Sequence, residues 1–341
     1  MRQKSKSPKK TKIRIPDEEI RYTSDFQLPW NTLLAPLRQG RFALEVRSIH
    51  GDAPKDFIRV REYIGGKRSH PARPSTWPGY IAKVGSKWYP VESITEHLVT
   101  RVGQTCGVVI ADSQLRIVGN QVRFFLNDRS ERLSHGLDLF RVLLDDETVE
   151  KIADERRERE VYTFESVRAA FELMFEQCCE QLTRDFVTLL GFDAFVGNND
   201  RHPMNWGIIV PIRNEGKIRF SPVFDSARAL FWNVSEQKIK QMLANPTSLD
   251  AYIRRSQPQI GWNNWQPQGS EKFDHFTLVA LIARHFPQYR HDLERFTAAD
   301  LIPRCEDAIE HEFSTLLSID RRRLIVQCLE RRQKRLAQAL L

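Results

Sequence analysis

Long apolar runs are missing from this chain of 341 residues. It has no stretch of about 18 apolar residues, so no membrane-spanning helix is expected. The positive charges at the N-terminus are not followed by an apolar segment, which argues against a secretory signal peptide.

Glycine is scarce where phosphate-binding loops need it: Gly65 and Gly66 lack the upstream glycine of a P-loop, and residues 71–79 hold more proline than glycine. A connector is favoured for 71–79, with a phosphate-covering loop as the alternative.

Cysteine is also sparse, and its pattern excludes a disulfide framework or a cysteine-based metal site. The five cysteines are odd in number and scattered, and the adjacent pair Cys178-Cys179 lacks metal-ligand spacing. They are expected to be core thiols in a reducing compartment, which predicts a cytoplasmic protein.

Charge is distributed unevenly along the chain. The net charge is +8, and the first 22 residues contain eight Lys and Arg against three acidic residues. Residues 1–30 are therefore predicted to form a basic disordered tail. Contact of this tail with an acidic partner or a nucleic acid is one interpretation, and a solvated tail without a partner is the other. The remaining chain is nearly balanced in charge, and its 41% hydrophobic content supports a large core.

An acid, an amide five residues later and a second acid form the most informative motif. Asp200 and Asn205 lie in a polar segment that starts at Gly197, and Asp225 follows Phe224. Phosphoryl transfer uses this spacing: the first acid accepts the hydroxyl proton, and the amide and second acid hold Mg²⁺. Mg²⁺ needs only one or two carboxylates with other oxygen ligands. An isolated match would more often be a polar turn.

The neighbouring patterns favour the catalytic interpretation. Apolar residues recur with a helical period from Phe164 to Phe195 before the motif. Short extended segments are predicted over 206–210, 218–220 and 222–224 after it, which gives helix, polar loop, strand, turn, strand and then Asp225. His202 is expected to brace the loop through a backbone bond.

A cation for the nucleotide phosphates is predicted upstream. Lys83 lies in an alternating strand, and the helix predicted from Val91 to Val102 carries Glu92 and Glu96 one turn apart. Either acid can pair with Lys83. A hairpin of 113–118 and 121–126 leads to Phe125, Leu126 and Asn127, whose backbone is expected to meet adenine.

The chain resembles the HipA-like serine/threonine kinases, distant relatives of the phosphatidylinositol kinases. The similarity covers roughly residues 75–230. The residues that carry it are Ile81-Ala82-Lys83-Val84, Glu96-His97-Leu98, Phe124 to Arg129, Gly197 to His202 with Asn205, and Ser221 to Asp225.

The resemblance implies ATP and Mg²⁺ as cofactors and a role for each matched residue. Lys83 contacts the phosphates, Glu96 orients Lys83, Asp200 is the base, and Asn205 with Asp225 binds Mg²⁺. Family members can phosphorylate a serine in their phosphate-covering loop, and Ser75 is the corresponding candidate for autophosphorylation here.

The predicted architecture is an α+β, protein-kinase-like bilobal fold. A mixed β-sheet N-lobe covers residues 31–130, and a mostly helical C-lobe covers 131–341, including a basic helix over 318–341 whose arginines are expected to be solvated. The predicted function is ATP-dependent phosphorylation of a Ser or Thr hydroxyl on a protein. The alternatives are a lipid or small-molecule kinase and a nucleotide-binding pseudokinase or interaction module.

Overall fold

The computed structural model describes most of the chain after the basic N-terminal segment. The described residues are 32, 34–45, 55–64, 67–68, 70, 73–84, 91–118, 121–127, 132–144, 148, 158–211, 216–267 and 272–341. The predicted tail over 1–30 and the hairpin turn at Gly119-Asn120 lie outside them. None of the helices in the described part is long and apolar enough to cross a membrane.

A five-stranded antiparallel sheet forms the N-terminal half, with strand order β1-β2-β5-β7-β6. A two-stranded ribbon of β3 and β4 lies between β2 and β5 in the sequence. The strand bounds are β1 Phe42–Glu45, β2 Lys55–Val60, β3 Tyr63–Ile64, β4 Lys67–Arg68, β5 Gly79–Val84, β6 Ser113–Val118 and β7 Gln121–Asn127. One face of the sheet has a small core of its own, formed by Ile58, Val60, Tyr80 and Ala82.

The register of the sheet places Lys83 beside the start of β2. Lys55 lies opposite Lys83 and Arg59 lies opposite Gly79, so β2 and β5 run in opposite directions along their shared edge. On the other side, Lys83 lies opposite Phe124 of β7. Side chains directly opposite each other in antiparallel strands are on the same face. Lys55 and Lys83 therefore share one face at one end of the sheet.

Helix α1, Glu92–Thr105, lies between β5 and β6 in the sequence and packs against β6, β7 and the C-terminal half. Its apolar side chains Ile94, Leu98 and Val102 are at most 1% exposed and belong to the large core of the helical half. Gly103 permits this close packing, because a Cβ there would lie 2.9 Å from Ile110. The helix that carries Glu96 is therefore anchored in the C-terminal half.

The C-terminal half is mostly helical around an aromatic core, with a small antiparallel sheet of order β10-β9-β8. Its elements are β8 Arg132–His135, α2 Gly136–Leu143, α3 Glu158–Val161, α4 Phe164–Met174, α5 Cys179–Val196, β9 Gly207–Val210, β10 Arg219–Phe220, α6 Glu236–Ala244, α7 Pro246–Arg254, α8 His275–His285, α9 Arg290–Glu294, α10 Leu301–Phe313 and α11 Ile319–Ala339. Trp206 is central to the core, with its ring 4.8 Å from Phe186 and stacked on Phe220. The predicted α+β architecture is confirmed.

The helix predicted continuously from Phe164 to Phe195 is interrupted. Helix α4 ends at Met174, and a 3-10 turn over Glu176–Cys178 precedes α5. Phe175 leaves the helical conformation, with φ −138° and ψ 42°. The apolar period continues through the break because the two helices pack against the same core.

Several arginines of α11 are buried, contrary to the solvated face expected from the sequence. Arg321 and Arg332 are at most 1% exposed. Arg321 donates to Glu236 Oε1 at 2.6 Å and to the carbonyl oxygens of Phe231 and Val234. Arg332 donates to the carbonyl oxygen of Ala194 at 2.7 Å. These arginines can be buried because distant segments of the chain supply oxygen acceptors for their guanidinium groups.

We expect Arg321→Ala to lower the free energy of unfolding by about 3–5 kcal/mol, because it leaves a carboxylate and two carbonyl groups without their buried partner. Arg323, exposed on the same helix, is the matched control, and Arg323→Ala should change stability by less than about 0.5 kcal/mol. Urea denaturation measures both variants. Equal effects would mean that the Arg321 interactions contribute nothing beyond helix propensity.

Candidate active site

The polar loop after α5 begins with a left-handed glycine. Gly197 has φ +74°, and its N–H donates to the carbonyl oxygen of Asp193 at 2.8 Å. An L-residue rarely adopts this conformation, and glycine adopts it at no steric cost. Asn198 also donates through its backbone N–H to Asp193. These bonds end α5 and direct the chain toward Asp200.

A buried ion pair between Arg201 and Asp193 organises this loop. Both side chains are 1% exposed, and the guanidinium donates to the two carboxylate oxygens at 2.9 and 3.0 Å. The remaining donors reach the carbonyl oxygens of Asn205 at 2.7 Å and Phe224 at 2.6 Å, and the hydroxyl of Ser226 at 2.7 Å. One side chain therefore joins the end of α5, the Asp200 to Asn205 loop and the segment that carries Asp225.

Asp200 and Asn205 are held together within this loop. Asn205 donates through its side-chain amide to the carbonyl oxygen of Asp200 at 2.8 Å. His202 has the predicted bracing role, since its Nδ1 accepts from the backbone N–H of Met204 at 3.3 Å. Burial lowers the pKa of His202, with Asp200 acting against the shift. A neutral imidazole can accept this bond, whereas an imidazolium cannot.

Arg228 pairs with the carboxylate of Asp200. Its Nε lies 3.3 Å from Asp200 Oδ2 and its Nη1 lies 3.4 Å from Oδ1. The guanidinium also lies over the ring of Trp232, 5.5 Å from the centroid. Burial raises the pKa of Asp200, and Arg228 is the strongest influence that lowers it. Arg228 was not among the predicted site residues, and its position three residues after Asp225 is the signal that the sequence offers for it.

Lys83, Glu96 and Asp225 form a second charged cluster beside the loop. Lys83 Nζ lies 2.8 Å from Glu96 Oε1 and 2.8 Å from Asp225 Oδ1. The side chains of Lys83 and Glu96 are 7% and 5% exposed. Asp225 has φ +54°, which is a left-handed conformation uncommon for residues other than glycine. The structure thus brings the predicted lysine of β5 and its acid on α1 into contact with the predicted Mg²⁺-binding acid after β10.

The charges of this cluster determine its protonation. Burial raises the pKa of Glu96 to about 7, although Lys83 opposes the shift. Burial alone would lower the pKa of Lys83, but the carboxylates of Glu96 and Asp225 outweigh it and hold this pKa above its ordinary value. For Asp225, burial is outweighed by Lys83 and Lys55, which hold its pKa well below the usual range. Lys83 and Asp225 are both charged at neutral pH.

Lys55 is a second cation in the cluster that sequence reasoning did not identify. Its Nζ lies 3.5 Å from Asp225 Oδ2, and its side chain is 10% exposed. The position follows from the pairing of β2 with β5, which sets Lys55 opposite Lys83. No local pattern predicts this pairing, because it joins residues 28 positions apart in the sequence.

The predicted adenine-contact residues lie in the strand next to Lys83. Phe125 is opposite Ala82 and Asn127 is opposite Tyr80 in the pairing of β7 with β5, and Leu126 lies between them. β7 ends at Asn127. Their backbone is therefore close to the strand that carries Lys83, at the end of the sheet away from the start of β2.

Ser75, the predicted autophosphorylation site, lies at the opposite end of β5 from Lys83. Ser75 lies in an exposed 3-10 turn over Pro74–Thr76 that leads into Gly79, the first residue of β5. With a rise of about 3.3 Å per residue, Gly79 and Lys83 are about 13 Å apart along the strand. Residues 73–79, the described part of this segment, therefore lead into the end of β5 that is farther from Lys83. The connection from Glu45 to Lys55 begins and ends nearer Lys83, but residues 46–54 lie outside the described part.

The donor set of the loops fits Mg²⁺ rather than a transition metal. Asn205 directs its amide N–H groups to Asp200, which leaves its Oδ1 without a hydrogen-bond partner among the described residues. Asp225 supplies a charged carboxylate. Amide and carboxylate oxygens suit Mg²⁺, which retains several waters. The described residues contain no cluster of three or more His, Cys, Asp or Glu that could hold a metal.

These features define the class of protein, which is an α+β fold of the protein-kinase type. Lys83 of the sheet faces the loops that carry Asp200 and Asp225 in the helical half. The chain belongs to the HipA-like family, since the model of the HipA-like C-terminal domain matches residues 47–298. No curated protein sequence matches the chain.

Two solved structures are similar to this chain in fold. One is the proinflammatory kinase CtkA of Helicobacter pylori, with a TM-score of 0.66 and 16% sequence identity, over 90% of this chain and 97% of that one. The other is HipA of Shewanella oneidensis MR-1 in complex with HipB and operator DNA, with a TM-score of 0.48 and 15% identity, over 86% of this chain and 65% of that one.

We expect Arg201→Gln to lower the free energy of unfolding by about 3–5 kcal/mol, because Asp193 would remain buried without its partner. The double variant Arg201→Gln with Asp193→Asn should cost less than the sum of the single changes. Arg304, whose bond to Asp300 is exposed, is the control, and Arg304→Gln should cost less than about 1 kcal/mol. Urea unfolding measures all four variants, and additive single costs would contradict the ion-pair role.

Proposed function

We propose that this chain is an ATP-dependent protein serine/threonine kinase. Family membership implies a phosphotransferase that uses ATP and Mg²⁺. The observation that supports the proposal most strongly is the contact of Lys83 with both Glu96 and Asp225, at 2.8 Å each, beside the loop that holds Asp200 and Asn205. A pseudokinase would be expected to lack at least one of these groups, and all are present.

Each of these residues then has a defined role. Lys83 binds the nucleotide phosphates, and Glu96 keeps its ammonium group in place. Lys55 is a second phosphate contact, because it lies on the same face as Lys83 and already neutralises Asp225. The backbone of Phe125, Leu126 and Asn127 contacts adenine.

Asp225 and Asn205 would hold Mg²⁺, which neutralises charge on the phosphates when it is bound. Both ligands depend on Arg201, which bonds the carbonyl oxygens of Asn205 and Phe224. The distance between the two loops is thereby set before nucleotide arrives. Such preorganisation avoids rearrangement during the reaction.

Asp200 would accept the proton of the attacking hydroxyl. The bond from this hydroxyl oxygen to the γ-phosphorus forms as the bond to the β-phosphate oxygen breaks, and ADP leaves. Arg228 must release the carboxylate, or share it, for the hydroxyl to approach, and its 41% exposed side chain has room to move.

Lipid or small-molecule hydroxyls remain the alternative acceptors, and contact of the basic N-terminal segment with an acidic or nucleic-acid partner remains a separate proposal.

The roles of Asp200 and Asp225 can be separated with radiolabelled ATP and Mg²⁺. Asp200→Asn should retain ATP affinity within about threefold and lose at least about a hundredfold in transfer rate, because only proton acceptance is removed. Asp225→Asn should also weaken Mg²⁺-dependent ATP binding, measured by titration calorimetry with and without Mg²⁺. Asp307→Asn, on the exposed side of α10, is the control. Undiminished transfer in Asp200→Asn would refute the assignment.

Glu96 and Glu92 offer a matched pair on one helix. Glu96→Ala should reduce transfer at least about tenfold, because Lys83 loses its buried partner, whereas Glu92→Ala at the start of α1 should change the rate less than about threefold. Initial rates at saturating and limiting ATP distinguish binding from turnover. A larger loss in Glu92→Ala would assign the partner of Lys83 to the wrong acid.

A further inference from the structure

An open groove of about 770 Å³ lies on the C-terminal half between α7, α8 and α11. Its lining is formed by short apolar, polar and basic side chains: Ala251, Arg254, Arg255, Lys272, Asp274, Phe276, Thr277, Arg335, Gln338 and Ala339. The volume lies within the range of about 300–1,000 Å³ that is typical of ligand sites. None of these residues belongs to the candidate active site.

Among the described residues, the positive charge of the groove is compensated only in part. Arg254, Arg255, Lys272 and Arg335 make no ion pair with a carboxylate in the part of the chain that the structure describes. Asp274 is the one acidic lining residue, and its Oδ1 already accepts from the N–H groups of Phe276 and Thr277 at 2.9 Å each as the cap of α8.

Other surface arginines of this half differ from those in the groove. Arg331 pairs with Asp250 at 2.7 Å, and Arg290 pairs with Glu294 at 3.0 Å. Four neighbouring cations without such partners repel one another, and an anionic ligand would relieve that repulsion. The groove is therefore suited to a ligand with several negative charges.

The floor of the groove argues for a polypeptide ligand rather than a nucleic acid. Single-stranded nucleic acids are bound largely by stacking of bases on exposed aromatic rings. Phe276 is the aromatic residue of the lining, but it is 7% exposed, and the guanidinium groups of Arg332 and Arg335 lie 5.2 and 5.4 Å from its centroid. The side-chain amide of Gln338 adds a hydrogen-bonding group that a peptide backbone can use.

The groove is connected to the catalytic loop through a short segment. Arg255 is followed directly by Ser256, whose hydroxyl donates to Asn199 Oδ1 at 2.9 Å. Gln257 donates to the same oxygen through its backbone, and Gln259 donates to the carbonyl oxygen of Asn199 at 2.6 Å. Asn199 precedes Asp200. A protein bound in the groove would thus be attached next to the loop that carries the proposed base.

We propose that this groove is a docking site for an acidic segment of the protein substrate. Carboxylates of the segment pair with Arg254, Arg255 and Lys272 at the rim. Binding of the acidic segment does not require phosphotransfer, whereas its identity as substrate rests on the proposed function.

Binding is tested with the full chain and a fluorescein-labelled peptide of alternating Asp, Glu and Gly, by fluorescence anisotropy. The triple variant Arg254→Gln, Arg255→Gln and Lys272→Gln should weaken binding about tenfold, because three exposed charge pairs that each contribute modestly are lost together. Arg335 is left unchanged because it packs on Phe276. Thermal unfolding checks that the variant is folded.

A second triple variant controls for net charge. Lys238, Lys240 and Arg323 are exposed and lie outside the groove, and their change to Gln removes the same charge. Its affinity should stay within about twofold of the unchanged chain. Equal loss in both triple variants, or no peptide binding at low salt, would overturn the proposal. So would a single-stranded oligonucleotide that binds more tightly than the peptide and loses affinity only in the groove variant.

Kinetics then distinguish this proposal from the proposed function. With a Ser-containing peptide that carries an acidic flank, the groove variant should raise KM about tenfold and leave kcat unchanged. A rise in KM that is equal for a peptide without the acidic flank would contradict docking. If no peptide is phosphorylated, the proposed protein-kinase function fails, and the anisotropy result still decides whether the groove binds acidic peptide.

Discussion

The buried ion pair of Arg201 and Asp193 is the constraint on which the candidate site depends. An arginine that is 1% exposed must satisfy its donors internally, and this one does so with oxygens from three chain segments. The end of α5, the loop from Asp200 to Asn205 and the turn before Asp225 are consequently fixed relative to one another. The oxygens that Arg201 contacts in these two loops belong to Asn205 and Phe224, 19 positions apart in the sequence, so the two loops act as one unit.

Ion pairs connect these loops to the N-terminal sheet. Lys83 contacts Glu96 and Asp225 simultaneously, and Lys55 approaches the other oxygen of Asp225. These cations compensate the charge of Asp225, whose pKa would be raised by burial alone. The groups proposed to bind phosphate and Mg²⁺ therefore also hold the sheet, α1 and the helical half together. Because α1 packs in the large core, Glu96 is held in place relative to the C-terminal half.

Sequence reasoning succeeded where short-range spacing carries the information. The interval from Asp200 to Asn205, the helical period that places Glu96 after Glu92, and the alternation around Lys83 all act over a few residues, so local geometry determines which side chains share a face. The family resemblance adds the order of these motifs along the chain. Reasoning of this kind predicted the α+β fold, the pair of Lys83 with an acid of the following helix, and the bracing role of His202.

The sequence by itself determined the chemical groups of the site and their order, because spacing within one helix, strand or loop is a local property. Only the tertiary structure decided which distant groups meet: Lys55 with Asp225, Arg228 with Asp200, and Arg321 with Glu236. The turn that carries Ser75 leads into the Gly79 end of β5, four residues before Lys83. Strand register and the burial of a charge depend on partners far away in the chain, and no local pattern records where those partners will lie.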